Sequence, residues 1–407
     1  MNLILLVGTN PLPNYVVAKY FMDSYDNLKN IFFVISSGNK SQSSTREFAD
    51  NITKVLNSNY ENKNVNFIYV ALSNIEDQKT NINDLSSGFE EIGLHENIHL
   101  NYTGGTKTMG IHVYNFLKEK YKENFENSYL SAKLFKLINE NGELVTEDLR
   151  KKVILKFEDL ITLHGFKRDN KDFEFGFENA MKKFEEYIER DELDKYFDSF
   201  NRKNFTSNSN KLIERKKDLK KDIRINGVIL KINNLLPPES QLFNSYGEVL
   251  ENLPEDKNIK NTIQFIDGKW LEEYLYKIIK ENIPENINIL KNWEVKKPTW
   301  PNNLKFELDV ILINGYQLCG LSVTTISKKA NCKHKGFEII MRTRQIGGDE
   351  AKSVLVTRLN EQPVKELQNE LEIDTGGTSK NILVLGKDDF KKENLLNKLK
   401  YFMEINI

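Results

Sequence analysis

The chain has 407 residues, of which 39% are hydrophobic and 29% charged, with a net charge of -1. That length accommodates two or three domains. The balanced charge excludes a global basic field, although local patches and a metal can still carry phosphate chemistry. Two cysteines, Cys319 and Cys332, exclude a disulfide framework and a four-cysteine zinc site, and they fit a reducing cytoplasm.

The opening MNLILLVGTN has neither a basic leader nor a small-residue cleavage site, and reads as a first buried strand. No run of 18 apolar residues suggests a membrane span. After NLILLVG come a helix (VVAKYFMDSY), a strand (NIFFVISSG) and a helix (STREFADNITKVL) with Ser44 or Thr45 as N-cap and Glu47 near N3. A strand (NVNFIYVAL), a helix (INDLSSGFEEIG), a strand (NIHLNYTGG) and a helix (MGIHVYNFLKEKY) follow. This alternation predicts a doubly wound parallel sheet, with ligands bound outside the carboxyl ends of its strands. Three polar loops fall there: GTNPLPN, SSGNKSQSS and NYTGGTKT.

From Ser128 the runs AKLFKLI and KKVILKF are strand-like, and a helix, EDLITLHG, ends at Gly165. Residues 167–259 read as a mostly helical connector, in which RKKDLKK (215–221) is a solvated helix face. A separate fold follows over 260–407: the helix GKWLEEYLYKIIKENI, strands NILKNWEVK, KFELDVILING and YQLCGLSVTTI, the helix KGFEIIMRTRQIGG and a last strand, KSVLVTRL.

In NYTGGTKTMG two glycines allow close backbone approach to a ligand, and free N–H groups at the next helix start attract anions. Thr103, Thr106 and Thr108 can donate to phosphate or ribose, and Lys107 supplies charge. The loop is neither G-x-x-x-x-G-K-[ST] nor G-x-G-x-x-G, and the latter's absence speaks against a dinucleotide-cofactor enzyme. HENIH (95–99) matches the H-E-x-x-H zinc motif only formally, because Ile98, Leu100 and Tyr102 alternate as in a strand.

The Thr-Gly-Gly-Thr-Lys loop, the first loop GTNPLPN and the closing ILKFEDLITLHGF together resemble the CARF domain, the CRISPR-associated Rossmann fold, over about residues 1–166. The resemblance implies a sensor of cyclic oligoadenylate in type III CRISPR antiviral immunity, most simply cyclic tetra-adenylate. Thr9, Asn10, Pro13 and Asn14 would line its pocket, Ser36 and Ser37 would flank it, and Thr103, Gly104, Gly105, Thr106 and Lys107 would grip the ligand. It further implies a cytoplasmic homodimer in which each protomer reads half of a symmetric ring.

In KFELDVILING, Glu307 and Asp309 share one strand face, with Phe306, Leu308 and Val310 on the other. Paired carboxylates amid apolar strand suggest a divalent metal, and GKWLEEYLY adds Glu272 and Glu273. The order helix, acidic strand, strand, helix resembles the PD-(D/E)XK nucleases linked to CARF domains. That resemblance implies an α/β architecture of sensing domain, helical connector and metal-dependent nuclease domain cleaving DNA, RNA or both. Glu307, Asp309 and a helix carboxylate, Glu272 or Glu338, would hold Mg²⁺ or Mn²⁺. The next strand departs from the pattern: Ser322-Val323-Thr324 stands where an acid-x-lysine is expected. Either the site is degenerate and the chain is a non-catalytic regulator, or the groups have moved to NCKHKGFEIIMRTRQIGGDEA. There Lys333 or Lys335 would orient water, Glu338, Arg342 and Gln345 share a helix face, and Arg342 and Arg344 could meet the nucleic-acid backbone.

Overall fold

The computed structural model describes residues 1–38, 43–61, 63–171, 174–207, 211–301 and 304–405; the SSGNKSQSS loop therefore lies partly outside the described residues. Its first half alternates as expected through β1 (Asn2–Leu6), α1 (Leu12–Ser24), β2 (Asn30–Ser36), α2 (Arg46–Asn59), β3 (Asn66–Leu72), α3 (Gln78–Gly88), β4 (Ile98–Asn101) and α4 (Lys107–Tyr121), and then adds β5 (Phe125–Ser131), which lies before the strand-like run AKLFKLI. A short antiparallel strand, β6 (Lys136–Ile138), completes a sheet of order β3-β2-β1-β4-β5-β6, in which β1 to β5 are parallel. Short apolar runs can be strands here because both sheet faces are covered, α1 and α2 on one side, α3 and α4 on the other. The chain steps from β1 to β2 in one direction and to β4 in the other. The loops after β1 and β4 therefore flank the topological switch point, where such sheets hold ligands.

Two local expectations change. Thr45 stands at the N-cap of α2 as expected, but its Oγ1 accepts from the Ser36 N–H at 3.0 Å and ties the helix start to β2 instead of capping it. KKVILKF is not a strand; a single 3₁₀ turn at Leu149–Lys151 leads into an extended segment whose Leu155 N–H donates to the Gly315 carbonyl at 2.9 Å. The segment thus bonds across to the second half of the chain.

After α5 (Phe157–Leu163), β7 (Lys167–Arg168) already belongs to the second sheet. The chain continues through α6 (Glu178–Glu189), α7 (Leu193–Ser199), α8 (Gly227–Leu235), α9 (Asp256–Gln264), α10 (Trp270–Asn282), β8 (Ile287–Lys296), β9 (Phe306–Asn314), β10 (Gln317–Val323), α11 (Lys329–Gly347) and β11 (Lys352–Val356). The end of the chain adds α12 (Glu361–Thr375), β12 (Ile382–Leu385) and α13 (Lys392–Met403), which extend the pattern beyond the strand expected to be last. The sheet runs β12-β11-β10-β9-β8-β7, antiparallel from β7 to β10 and parallel from β10 to β12.

The segment expected as a connector is built into this second unit. Its apolar residues share one core with α10, α13 and the inner residues of β9 to β11. Phe184 of α6 stacks on Trp270 of α10 at 4.1 Å between ring centres. RKKDLKK is solvated but holds only a 3₁₀ turn, Lys216–Asp218.

The other face of the second sheet, with α11, shares a continuous core with α1, α2 and α5. Phe157 meets Trp293 edge-on at 5.0 Å, Phe166 meets Phe306 at 5.7 Å, and the Arg150 guanidinium donates to Gln317 at 2.9 Å. His164, at the end of α5, is buried in this junction. Burial pushes its pKa down to about 4, assisted by the nearby Lys297 charge. The unfolded chain therefore binds a proton that the folded chain refuses between pH 6.5 and about 4. Stability from this residue is complete above pH 6.5 and falls by about 3 kcal/mol as pH drops through the folded value. Urea midpoints measured from pH 7 to pH 4 should fall more steeply for the wild type than for His164→Asn.

Candidate functional site

The first candidate site is the loop cluster at the switch point, and its glycines act on the protein itself. A Cβ on Gly104 would lie 2.1 Å from the Leu6 carbonyl oxygen, so only glycine lets the fourth loop lie on the end of β1. Gly105 has φ 72°, and its N–H lies 3.0 Å from where a Gly8 Cβ would stand. Asn14 is buried and donates to the Leu6 carbonyl at 2.8 Å. Thr103 Oγ1 donates to Asn101 at 2.7 Å and accepts from the Leu130 N–H at 2.6 Å. Thr106 caps α4, accepting from the Met109 N–H at 3.2 Å. Ser36 is buried and donates to the Ser43 carbonyl, while Ser37 donates to Leu72. Ser36, Ser37, Thr103 and Thr106 thus spend their side chains shaping loops, as does the Asn14 amide nitrogen, while the buried Asn14 Oδ1 has no hydrogen-bond partner among the described residues.

What remains open is different in kind. Thr9 and Lys107 are exposed, and neither has a hydrogen-bond or ion-pair partner among the described residues. Two cavities meet at the TGG backbone. One, of about 500 Å³, runs over Lys107, Ile111 and Tyr114. The other, of about 330 Å³, has Thr9, Asn10 and Pro13 on one wall and Tyr316, Gln317 and Gly348–Glu350 on the opposite wall. Gly348 ends α11 with φ 74°, and a Cβ there would lie 2.7 Å from Asn10 Nδ2. The loop after β1 therefore touches the C-terminus of a helix from the second unit.

The second candidate site is acidic. Carboxylate oxygens of Glu272, Glu307 and Asp309 lie within 4.8 Å of one another. On β9 the apolar alternation slips at Asp309. Phe306 and Leu308 belong to the core under α11, but Val310 belongs to the core under α10, contrary to the single face expected for all three. The ladder pairs Lys291 with Val310 and Trp293 with Leu308, and Asn292 between them has φ 54°. A five-residue wide turn, Phe265–Lys269, joins α9 to α10 and sets Lys269 at the head of α10. The Lys269 ammonium bonds Glu272 at 2.7 Å and Glu307 at 2.8 Å. Asp309 Oδ2 accepts from the Val323 N–H at the end of β10, at 2.7 Å.

Burial pushes Asp309 up to about 6 against the pull of Lys269, and burial together with the Asp309 charge holds Glu272 well above the usual carboxylate range. Burial alone would lower Lys269, but Glu272, Glu307 and Asp309 outweigh it and keep the ammonium charged. Three carboxylates face one lysine, with Glu272 and Asp309 desolvated by burial and Glu307 open to solvent. Such an oxygen donor set fits a hard divalent cation.

The other sequence candidates are distributed differently. Glu273 pairs with Lys291 at 2.7 Å. Lys333 is tied to Glu370 and Asp374 of α12, each at 2.9 Å. Lys335 lies 3.6 Å from Glu338, both half-exposed, and its charge reaches Asp309. Glu338 does not join the acidic cluster among the described residues; its place is taken by Glu272. Arg342 lies over Phe306 at 4.6 Å, and Arg344 donates to the Thr375 carbonyl at 3.0 Å. His99 is on β4, hydrogen-bonded to Ser128 at 2.8 Å, so HENIH forms no helical zinc site. Lys269 was not singled out from sequence; the signal was its i, i+3 spacing to Glu272 in GKWLEE.

Residues 2–157 match the family described as the Card1 CARF domain. No curated protein matches the chain in sequence. Among solved structures, protein VC1899 from Vibrio cholerae superposes with a TM-score of 0.69 at 14% identity, covering 99% of this chain and 98% of its own. Can2 from Sulfobacillus thermosulfidooxidans, solved with cyclic tetra-adenylate, superposes with a TM-score of 0.64 at 16% identity, covering 98% of this chain and 99% of its own. At these identities the likeness is one of fold, and it extends over both units. Among the described residues no helix is long and apolar enough to cross a membrane.

Removing the counter-ion tests the electrostatics of the acidic cluster. Lys269→Met should cost about 3 kcal/mol in EDTA, because it leaves three clustered carboxylates without their cation. Mn²⁺ should then raise the melting temperature of the variant more than that of the wild type in a thermal-shift titration.

Proposed function

We propose that the protein is a metal-dependent nuclease of type III CRISPR defence, switched on by cyclic oligoadenylate, most simply cyclic tetra-adenylate. The observation that carries the catalytic half is the convergence of Glu272, Glu307 and Asp309 around Lys269. The sensing half is supported by the Card1 CARF match over residues 2–157 and by the open TGG loop with its free Lys107.

In this reading residues 1–166 sense and residues 260–407 cut, with 167–259 forming a wall of the cutting unit. Glu272, Glu307 and Asp309 would hold Mg²⁺ or Mn²⁺, which when bound supplies a Lewis acid for the phosphodiester and for water. The Val323 N–H fixes the Asp309 carboxylate, and the ion pair of Lys269 with Glu272 fixes the helix acid. Lys269 and Lys335 are the ammonium groups near Asp309 that can orient water and offset the charge gathering on the phosphate. Lys333 is held by α12 and serves position rather than chemistry.

The ring ligand would lie across a homodimer on the TGG loops, whose exposed Ile111 face continues from the Lys107 cavity. Its signal would have a direct route: the loop of Thr9 and Asn10 faces the C-terminus of α11, and the same helix carries Lys335, whose charge is felt at Asp309. A non-catalytic regulator is the second reading, favoured by Ser322-Val323-Thr324, which puts neither acid nor lysine on β10. DNA and RNA remain alternative substrates to be separated by assay.

Plasmid DNA and single-stranded RNA incubated with Mn²⁺, with and without cyclic tetra-adenylate, decide between the readings. Cleavage should require the ligand, and Asp309→Asn should lower it at least about 1,000-fold while ligand affinity stays within twofold. Ligand-dependent cleavage by Asp309→Asn at the wild-type rate would sink the metal assignment. Gly348→Ala, at a left-handed position against Asn10, should cut the stimulation by ligand about tenfold while leaving ligand affinity nearly intact, as read by the cleavage ratio with and without ligand.

A further inference from the structure

A cavity of about 550 Å³ opens beside the acidic cluster. Lys269 and Glu272 stand at one side of it, and Phe197, Arg202 and Arg358 at another. The two arginines differ in one respect. Arg202 is satisfied, its guanidinium holding both carboxylate oxygens of Asp267 at 2.7 and 3.1 Å. Arg358, just past β11, is half-buried, with its guanidinium 3.7 Å from the centre of the Phe197 ring. It makes no hydrogen bond or ion pair among the described residues; Asp194 and Asp198 act on it only as more distant charges.

A guanidinium carries five donors in a planar fork matched to phosphate or carboxylate oxygens. Stacking on Phe197 holds the plane of this one but satisfies none of those donors. The side chain is thus oriented toward a cavity without an acceptor of its own. The neighbouring carboxylates repel a free anionic carboxylate or phosphate, unless that anion is part of the strand drawn to the cluster. The volume falls in the roughly 300–1,000 Å³ range of small-ligand sites, room for one nucleotide and not for a duplex. Aromatic and guanidinium faces are also the surfaces on which unpaired bases stack.

We propose that this cavity is the subsite for one unpaired nucleotide of the strand being cut, and that Arg358 grips its backbone phosphate. The proposal rests on the nuclease reading and narrows it to a substrate that is single-stranded, or locally opened, next to the scissile bond. DNA and RNA offer the same phosphate.

The test uses the full chain with cyclic tetra-adenylate and Mn²⁺ on fluorescent single-stranded DNA and RNA oligonucleotides and on their duplexes. In parallel, fluorescence anisotropy over a salt series measures binding in an Asp309→Asn background. Arg358→Ala should weaken single-strand binding about tenfold and reduce the salt slope by about one. The loss in cleavage should fall on KM rather than kcat, and Arg358→Lys should restore part of it. Cyclic tetra-adenylate affinity, measured on each variant, reports that the fold is intact. Wild-type protein should cut single strands faster than duplex. If the wild type cuts and Arg358→Ala binds and cuts like it, with the same salt slope, the subsite is overturned while the nuclease reading stands. Equal cutting of fully paired duplex also overturns it. If the wild type neither cuts nor binds any of these strands, the nuclease reading fails and the subsite fails with it.

Discussion

The acidic cluster is an electrostatic imbalance that the surrounding fold has to hold together. Three carboxylates share a few ångströms with one ammonium, and two of them are pushed toward protonation by burial. Like charges at this distance separate unless their backbones are fixed. Each carrier is fixed in its own way. Glu272 and Lys269 ride on the start of α10, where Trp270 is clamped by Phe184. Glu307 and Asp309 ride on a strand between two others, and Asp309 is tied to β10 by the Val323 N–H. The helices of 167–259 therefore contribute to the site without supplying an acid: they cover the face on which α10 lies.

The same logic explains why the two units are not beads on a string. One core runs from the α1 and α2 side of the first sheet to the α11 side of the second. A helix packed in a continuous core moves as a body or not at all, because close-packed interiors transmit displacement. α11 ends against Asn10 of the first unit, and its first half carries Lys335, whose charge is felt at Asp309. In the proposed reading, binding at the first loop would reach the acids through this shared core and not through a flexible linker.

The first four strands of the first sheet were legible because each is a short, mostly apolar run closed by Gly, Ser or Asn within two residues of its end, whereas β5, which carries Glu126, Asn127 and Ser128, is no such run. The carboxyl-edge loops follow from that order alone. Glycine function within the loop was less legible: Gly104 reads as room for a ligand, yet the Leu6 carbonyl fills that room. Thr103, Thr106 and Asn14 likewise look like ligand donors in sequence but serve their own backbone. Small polar residues satisfy local backbone groups as readily as foreign ones, and sequence does not distinguish the two. In the second unit, Glu307 and Asp309 were visible as a pair, but the slip of β9 at Asp309, beside a left-handed Asn292 in the neighbouring strand, was not. The last helix, strand and helix were passed over because α12 and α13 are strongly charged surface helices whose apolar stripes are narrow.

The lysine missing from Ser322-Val323-Thr324 becomes a different question once the cluster is seen in three dimensions. β10 still contributes there, but with a backbone N–H to Asp309 instead of a charged side chain. The charge comes from Lys269, 55 residues before Thr324 in the chain, where a wide turn leads into α10. A lysine on the strand would approach the acids from the sheet; a lysine at the head of α10 approaches them from the helix and at the same time borders the cavity that holds Arg358. The end of β10 meets that cavity with the uncharged Val323, Thr324 and Thr325. In the proposed nuclease reading, the lysine at the head of α10 supplies the charge that an acid-x-lysine on β10 would have supplied, and the same lysine borders the cavity beside the acids.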